Sequence, residues 1–130
     1  MPHHFALSAT TDGEWAVVAV SGEVDLDTAP ALRECLSELT AGDVRHVLVD
    51  LRQVSFLDSI GLGVLLSAYQ RLRGAEPAGS LRLICTNQRV VKLFAITGLL
   101  RLFPMHATVE QARAAGDPRA SGPSGQAGGA

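Results

Sequence analysis

Two short stretches carry the side chains that could do chemistry. In "FLDSIGLGVLL", residues 56 to 66, Asp58, Ser59 and two glycines interrupt an otherwise apolar run. In "GEVDLD", residues 22 to 27, the acids Glu23, Asp25 and Asp27 alternate. A serine nucleophile on a strand-to-helix elbow would read G-x-S-x-G. Here Leu57 stands where the first glycine belongs. Such a serine also needs a base within hydrogen-bond reach. His46 opens the preceding strand and His106 lies near the last one, so either would have to approach through the fold. Gly61-Leu62-Gly63 is like the start of a dinucleotide loop, but Leu66 occupies the third glycine position. No Gly-Lys-Ser/Thr is present for a phosphate loop. The alternating acids, with Asp58 near them, could hold a divalent ion. Their spacing lacks the glycine and terminal glutamate of a calcium loop. The remaining use is capping: Asp58 or Ser59 can be the N-cap of a helix beginning near Ile60. Acids at a helix start also favour the positive end of its dipole. No catalytic residue, metal or cofactor is expected.

The elements that must position these residues follow from periodicity. "FALSAT" and "WAVVAVSG" are β-rich and flank Asp12-Gly13, a hairpin signal. "GEVDLD" is then expected to leave the sheet. Asp27 or Thr28 can cap a first helix, with Pro30 in its first turn. Leu32, Cys35, Leu36 and Leu39 make its apolar face and Gly42 suits its end. "HVLVDL" reads as a central strand covered on both faces, and "QVSF" carries it to Asp58. Leu62, Leu65, Leu66, Tyr69 and Leu72 mark a second helix, ended near Gly74. "LRLICT" is the next strand. "QRVVKLFAITG" is a third helix with Val90, Leu93 and Phe94 inward. A short strand and a short helix follow, with a capping box spaced from Thr108 to Gln111.

Alternating strands and helices after the hairpin give an α/β domain with a mixed central sheet. The helices are expected mainly on one face. The chain has 130 residues, 47% apolar and 18% charged, which suits a single core over residues 1–113. From residue 114, fourteen of 17 residues are Ala, Gly, Ser or Pro, and this tail is expected to be disordered. Net charge is −2 with scattered basic residues, which does not suit nucleic acid. Cys35 and Cys85 form no C-x-x-C and read as buried thiols. The N-terminus does not read as a secretory signal, and no apolar stretch approaches a membrane span. A cytoplasmic location is the expectation.

On the second helix, 100° per residue sets Leu62, Leu65, Leu66 and Tyr69 on one side. Ile60 and Val64 fall opposite, beside Ser67 and Arg71. A helix lying on a sheet would turn Ile60 and Val64 to solvent, as a small docking patch.

Two separated motifs carry a resemblance. Gly22, Asp25 and Thr28 fit GxxDxxT ahead of the first helix. Asp58, Ser59, Gly61, Leu62 and Gly63 fit an Asp-Ser-x-Gly-Leu-Gly turn after a strand. Together they resemble the STAS domains of bacterial anti-sigma factor antagonists over nearly all of residues 5 to 113. The resemblance implies a switch without catalysis. The unphosphorylated antagonist binds an anti-sigma factor that is also a serine kinase, and a sigma factor is released. Phosphorylation of Ser59 ends binding, and a serine phosphatase resets it. Asp58, and Asp25 with Thr28, would line the surface the kinase meets, with Gly61 in the same turn. Where the family often has a small or polar residue after the serine, this chain has Ile60, a candidate for partner choice. Two other functions are open at this point. One is a STAS subunit with no phosphoswitch, in a stress-signalling scaffold or a lipid-transport complex. The other is a small serine hydrolase.

Overall fold

The computed structural model describes residues 5–115. The Ala/Gly-rich tail lies outside the described residues from position 116 on. β1 (Ala6–Asp12) and β2 (Trp15–Val24) form the antiparallel hairpin, turning at Gly13 with φ +63°. β3 (His46–Leu57), β4 (Ser80–Ile84) and β5 (Met105–His106) follow in spatial order, each parallel to its predecessor. The crossovers carry α1 (Ala29–Ala41), α2 (Ser59–Arg73) and α3 (Gln88–Ile96), with a 3-10 turn at Leu99–Arg101. α4 (Val109–Ala114) closes the described chain. The expected mixed sheet is the one observed.

Strand alternation decides which side is thick. Ala16, Val18 and Val20 of β2, Val47, Val49 and Leu51 of β3, and Leu81 and Leu83 of β4 share the main core. Leu32 and Leu36 of α1, Leu65 and Leu72 of α2 and Phe94 of α3 complete it. Phe103 meets Tyr69 and Phe94 edge-on at 5.2 and 5.8 Å, geometry aromatic pairs favour. The alternate residues Leu48 and Ile84 face the other way, against Ala112 of α4. On this thin side the guanidinium groups of Arg82 and Arg113 both lie over the Trp15 ring, 5.5 and 4.8 Å from its centroid. Arg82 also donates from Nη1 to the carbonyls of Ala112 and Ala115, so it fixes the end of α4. Both thiols are reduced, and burial raises the pKa of each.

Two local departures from the sequence expectation shape the site. "GEVDLD" does not leave the sheet at once: β2 continues through Val24. Register shifts flank Ser21–Gly22, and Gly22 holds φ +93°, so the strand bends at a bulge and goes on pairing. β3 also outruns its other neighbour. β4 pairs it only from His46 to Asp50, whereas β2 follows it to Leu57. Past that point α3 takes the vacated side, and Asn87 Nδ2 donates to the Val54 carbonyl at 3.0 Å.

Candidate functional site

Parallel pairing of β2 with β3 brings the two motifs together. Glu23 stands opposite Phe56 and Val24 opposite Leu57, so both chains leave the sheet side by side. The Asp58 amide still donates to the Val24 carbonyl at 3.2 Å. The turn after β2 and the amino end of α2 therefore form one surface.

Asp58 is the cap of α2. Its backbone is extended (φ −102°, ψ −175°), and Oδ1 accepts from the amides of Ile60 and Gly61, each at 3.0 Å. Ser59 is the first helical residue. It is exposed, and its hydroxyl has no hydrogen-bond partner among the described residues. The two candidates for the cap are thus separated: the acid holds the helix and the serine hydroxyl stands outside that work.

Gly61 is buried beneath this turn. A Cβ there would sit 2.5 Å from Leu57 Cδ1 and 2.7 Å from Val24 Cγ1. The missing side chain lets the first turn of α2 rest on the ends of β2 and β3. Gly61 thus serves packing, and its amide serves the cap. Gly63 is exposed, and a Cβ there would meet nothing within 4 Å.

The turn after β2 is held by its own polar groups. Asp25 Oδ1 accepts from the amides of Asp27 (2.9 Å) and Thr28 (3.1 Å). Thr28 Oγ1 donates to the Glu23 carbonyl at 2.7 Å and accepts from the Asp25 amide at 2.9 Å. Neither Asp27 nor Thr28 caps α1 with its side chain. Thr28 occupies the N-cap position in helical conformation, but its hydroxyl is turned back into the turn. Asp25 and Thr28 shape this surface, and the residue they lift to its tip is Leu26, 67% exposed.

Of the two residues expected in the Ile60–Val64 patch, the structure exposes only one. Ile60 is 37% exposed, but Val64 is only 4% exposed and belongs to the main core. α2 packs on α1 as well as on the sheet. Its buried positions, from Val64 round to Leu62, therefore span an arc of roughly 160° at 100° per residue. A one-sided helix would have left Val64 outside; a helix wedged between sheet and neighbour does not.

Among the described residues no three His, Cys, Asp or Glu side chains cluster as metal ligands. His46 opens β3 and is bonded to Ser80 through Nδ1, at 2.8 Å. At about 3.3 Å per residue it lies roughly 35 Å along the strand from Leu57. His106 pairs in register with Ile84, alongside the start of β3. His106 is level with Asp50, seven residues short of Leu57 along β3, so neither histidine is level with Ser59.

The family model for the STAS domain matches residues 6–112. The chain belongs to the STAS-domain family. This STAS domain is 32% identical over 104 residues to a Staphylococcus aureus protein named anti-sigma-B factor antagonist. That match covers 80% of this chain and 94% of the relative. It is 37% identical over 95 residues to the Bacillus subtilis protein of the same name, covering 72% and 83%. The crystal structure of an anti-sigma factor antagonist from Mycobacterium paratuberculosis matches with TM-score 0.76 and 28% identity, over 84% of this chain and 91% of that one. The anti-sigma factor antagonist SpoIIAA in its unphosphorylated form gives TM-score 0.71 and 29% identity, over 84% and 92%. SpoIIAA from Bacillus in its phosphorylated form gives 0.65 and 28%, over 84% and 96%. Among the described residues of this STAS domain, no helix is long and apolar enough to cross a membrane.

Three exposed apolar residues at this end of the molecule, Leu26, Phe56 and Ile96, are not singled out by sequence spacing. Leu26 was legible in principle, as an apolar letter between two acids in a turn. Phe56 and Ile96 were not. Phe56 reads as part of a buried strand until β4 is seen to stop short, and Ile96 stands off the Val90–Leu93–Phe94 face with nothing in the spacing to set it at this end.

Proposed function

We propose that this STAS domain is an anti-sigma factor antagonist that works by partner switching at Ser59. In the unphosphorylated form it binds an anti-sigma factor that is also a serine kinase, and so frees a sigma factor in the cytoplasm. The kinase phosphorylates Ser59 and binding ends. A serine phosphatase restores the first state.

The observation that carries this reading is the division of labour between Asp58 and Ser59. Asp58 makes the cap bonds, so Ser59 presents an exposed hydroxyl whose modification breaks no bond of the fold. Relatives named anti-sigma-B factor antagonist, and a SpoIIAA structure in the phosphorylated form, support it further.

The electrostatics fit a release signal. A phosphate adds about −1.5 to −2 charge. The helix dipole favours that charge, so α2 should persist. But the amides of Ile60 and Gly61 already face the Asp58 carboxylate, so the phosphate would gather beside an existing negative charge. A partner closed over Leu26 and Ile60 would have to desolvate both. A penalty of about 2.7 kcal/mol is a hundredfold in affinity.

Incubation with the purified kinase and ATP tests the assignment. Wild type is expected to take up one phosphate and Ser59→Ala none. Equal labelling of the two, or none of the wild type, contradicts it.

A further inference from the structure

Among the described residues, all four exposed large apolar side chains lie beyond or beside the carboxyl ends of β2 and β3. Leu26 is in the turn after β2, Phe56 is on β3, Ile60 is in the first turn of α2 and Ile96 is on α3. Phe56 and Ile96 line one groove of about 340 Å³, between the overhanging end of β3 and α3. The groove exists because β4 ends at Ile84 while β3 runs on to Leu57, and a nine-residue helix fills the space unevenly. Leu57 and Leu93 line it too, and Arg89 and Lys92 are its charged members. Positions 89, 92, 93 and 96 recur at i, i+3, i+4 and i+7, so α3 presents them along one edge. The lining contains no acid, and neither cation forms an ion pair with a described residue. Leu57 joins the groove directly to Asp58 and Ser59.

An apolar floor with two cations that pair with no described residue complements one kind of protein segment: large apolar side chains accompanied by carboxylates. We infer that the groove takes an acidic, apolar segment of the same anti-sigma kinase, so that the contact runs from Ser59 across the end of β3 onto α3. This rests on the reading of Ser59 given above. The groove is a contact made by residues other than the phosphorylated one. It holds the kinase while Ser59 is being modified and governs how readily the two proteins meet rather than the transfer itself.

The test uses the full chain, the purified kinase and ATP, with two variants: Arg89→Glu/Lys92→Glu and Ile96→Ser. These side chains are exposed, so both variants should keep the wild-type melting temperature within a few degrees. In each, the KM for phosphorylation of Ser59 should rise tenfold or more while kcat stays within twofold. Added salt should weaken wild-type binding and not that of the charge-reversed variant. If wild type is phosphorylated on Ser59 and both variants keep KM within twofold, the groove lies outside the interface and this inference alone falls. If wild type is not phosphorylated on Ser59, the underlying reading falls and this one with it. If wild type self-associates, and Ile96→Ser abolishes that without changing KM, the occupant is a second copy and the kinase assignment is overturned.

Discussion

Asp58 closes the amino end of α2 through two amide hydrogen bonds, and Ser59 beside it keeps a hydroxyl with no partner among the described residues. One residue is structural and its neighbour is available. Asp58→Ala should therefore destabilise the fold by about 1 kcal/mol, the usual loss for an N-cap. Ser59→Ala should stay within about 0.5 kcal/mol of wild type. Urea unfolding compares them directly. Equal losses at both positions would mean that Ser59 supports the fold and is not spare.

The two glycines of the turn should respond in opposite directions. At Gly61 an added methyl strikes Leu57 and Val24, so Gly61→Ala should cost on the order of 1–3 kcal/mol. At Gly63 the methyl meets nothing, and an exposed helical glycine is worse than alanine by about 1 kcal/mol. Gly63→Ala should therefore stabilise the protein in thermal unfolding. A melting temperature left unchanged or lowered by Gly63→Ala would contradict this.

In the turn after β2, shape and contact belong to different residues. Thr28→Val loses the hydroxyl that bridges Glu23 and Asp25 and should cost about 1 kcal/mol. Leu26→Ser should leave unfolding within about 0.5 kcal/mol, since the side chain is mostly in water. It should nonetheless weaken binding of the kinase. Chemical unfolding paired with a binding titration separates the two effects.

Stability should fall in two steps on acidification. Burial, with the nearby Arg82 charge, holds the pKa of His106 below its ordinary 6.5. The unfolded chain then takes up that proton first. The contribution is complete above about 6.5 and is lost as pH falls toward the depressed value. The Arg52 guanidinium, bonded to Asp50 at 2.7 and 2.9 Å, holds that carboxyl below its ordinary 3.8. Its contribution is present above 3.8 and is lost as pH falls through the folded value. In urea unfolding followed across pH, His106→Gln should remove the first step and Asp50→Asn the second. A wild-type profile flat from pH 7 to 5 would contradict the first assignment.

The parts of the fold set by periodicity were legible in the sequence. The hairpin at Asp12-Gly13, the α1 face of Leu32 and Leu36 and the strand from His46 all follow from local spacing and turn chemistry. So does the pairing of an acid and a serine at the start of α2. What depended on neighbours was not legible. Val64 is buried because α1 lies beside α2, which no helical wheel contains. The cap could be either Asp58 or Ser59 until the extended backbone of Asp58 decided it. Phe56 and Ile96 became exposed because two adjacent strands differ in length, a property of pairing and not of either segment alone.

The central claim is that one phosphate on Ser59 separates this protein from its kinase. Titration of the purified kinase with the unmodified protein, and with protein phosphorylated only at Ser59, measures this directly. The phosphorylated form should bind at least a hundredfold more weakly, a difference of about 2.7 kcal/mol. Affinities within threefold of each other would contradict the claim.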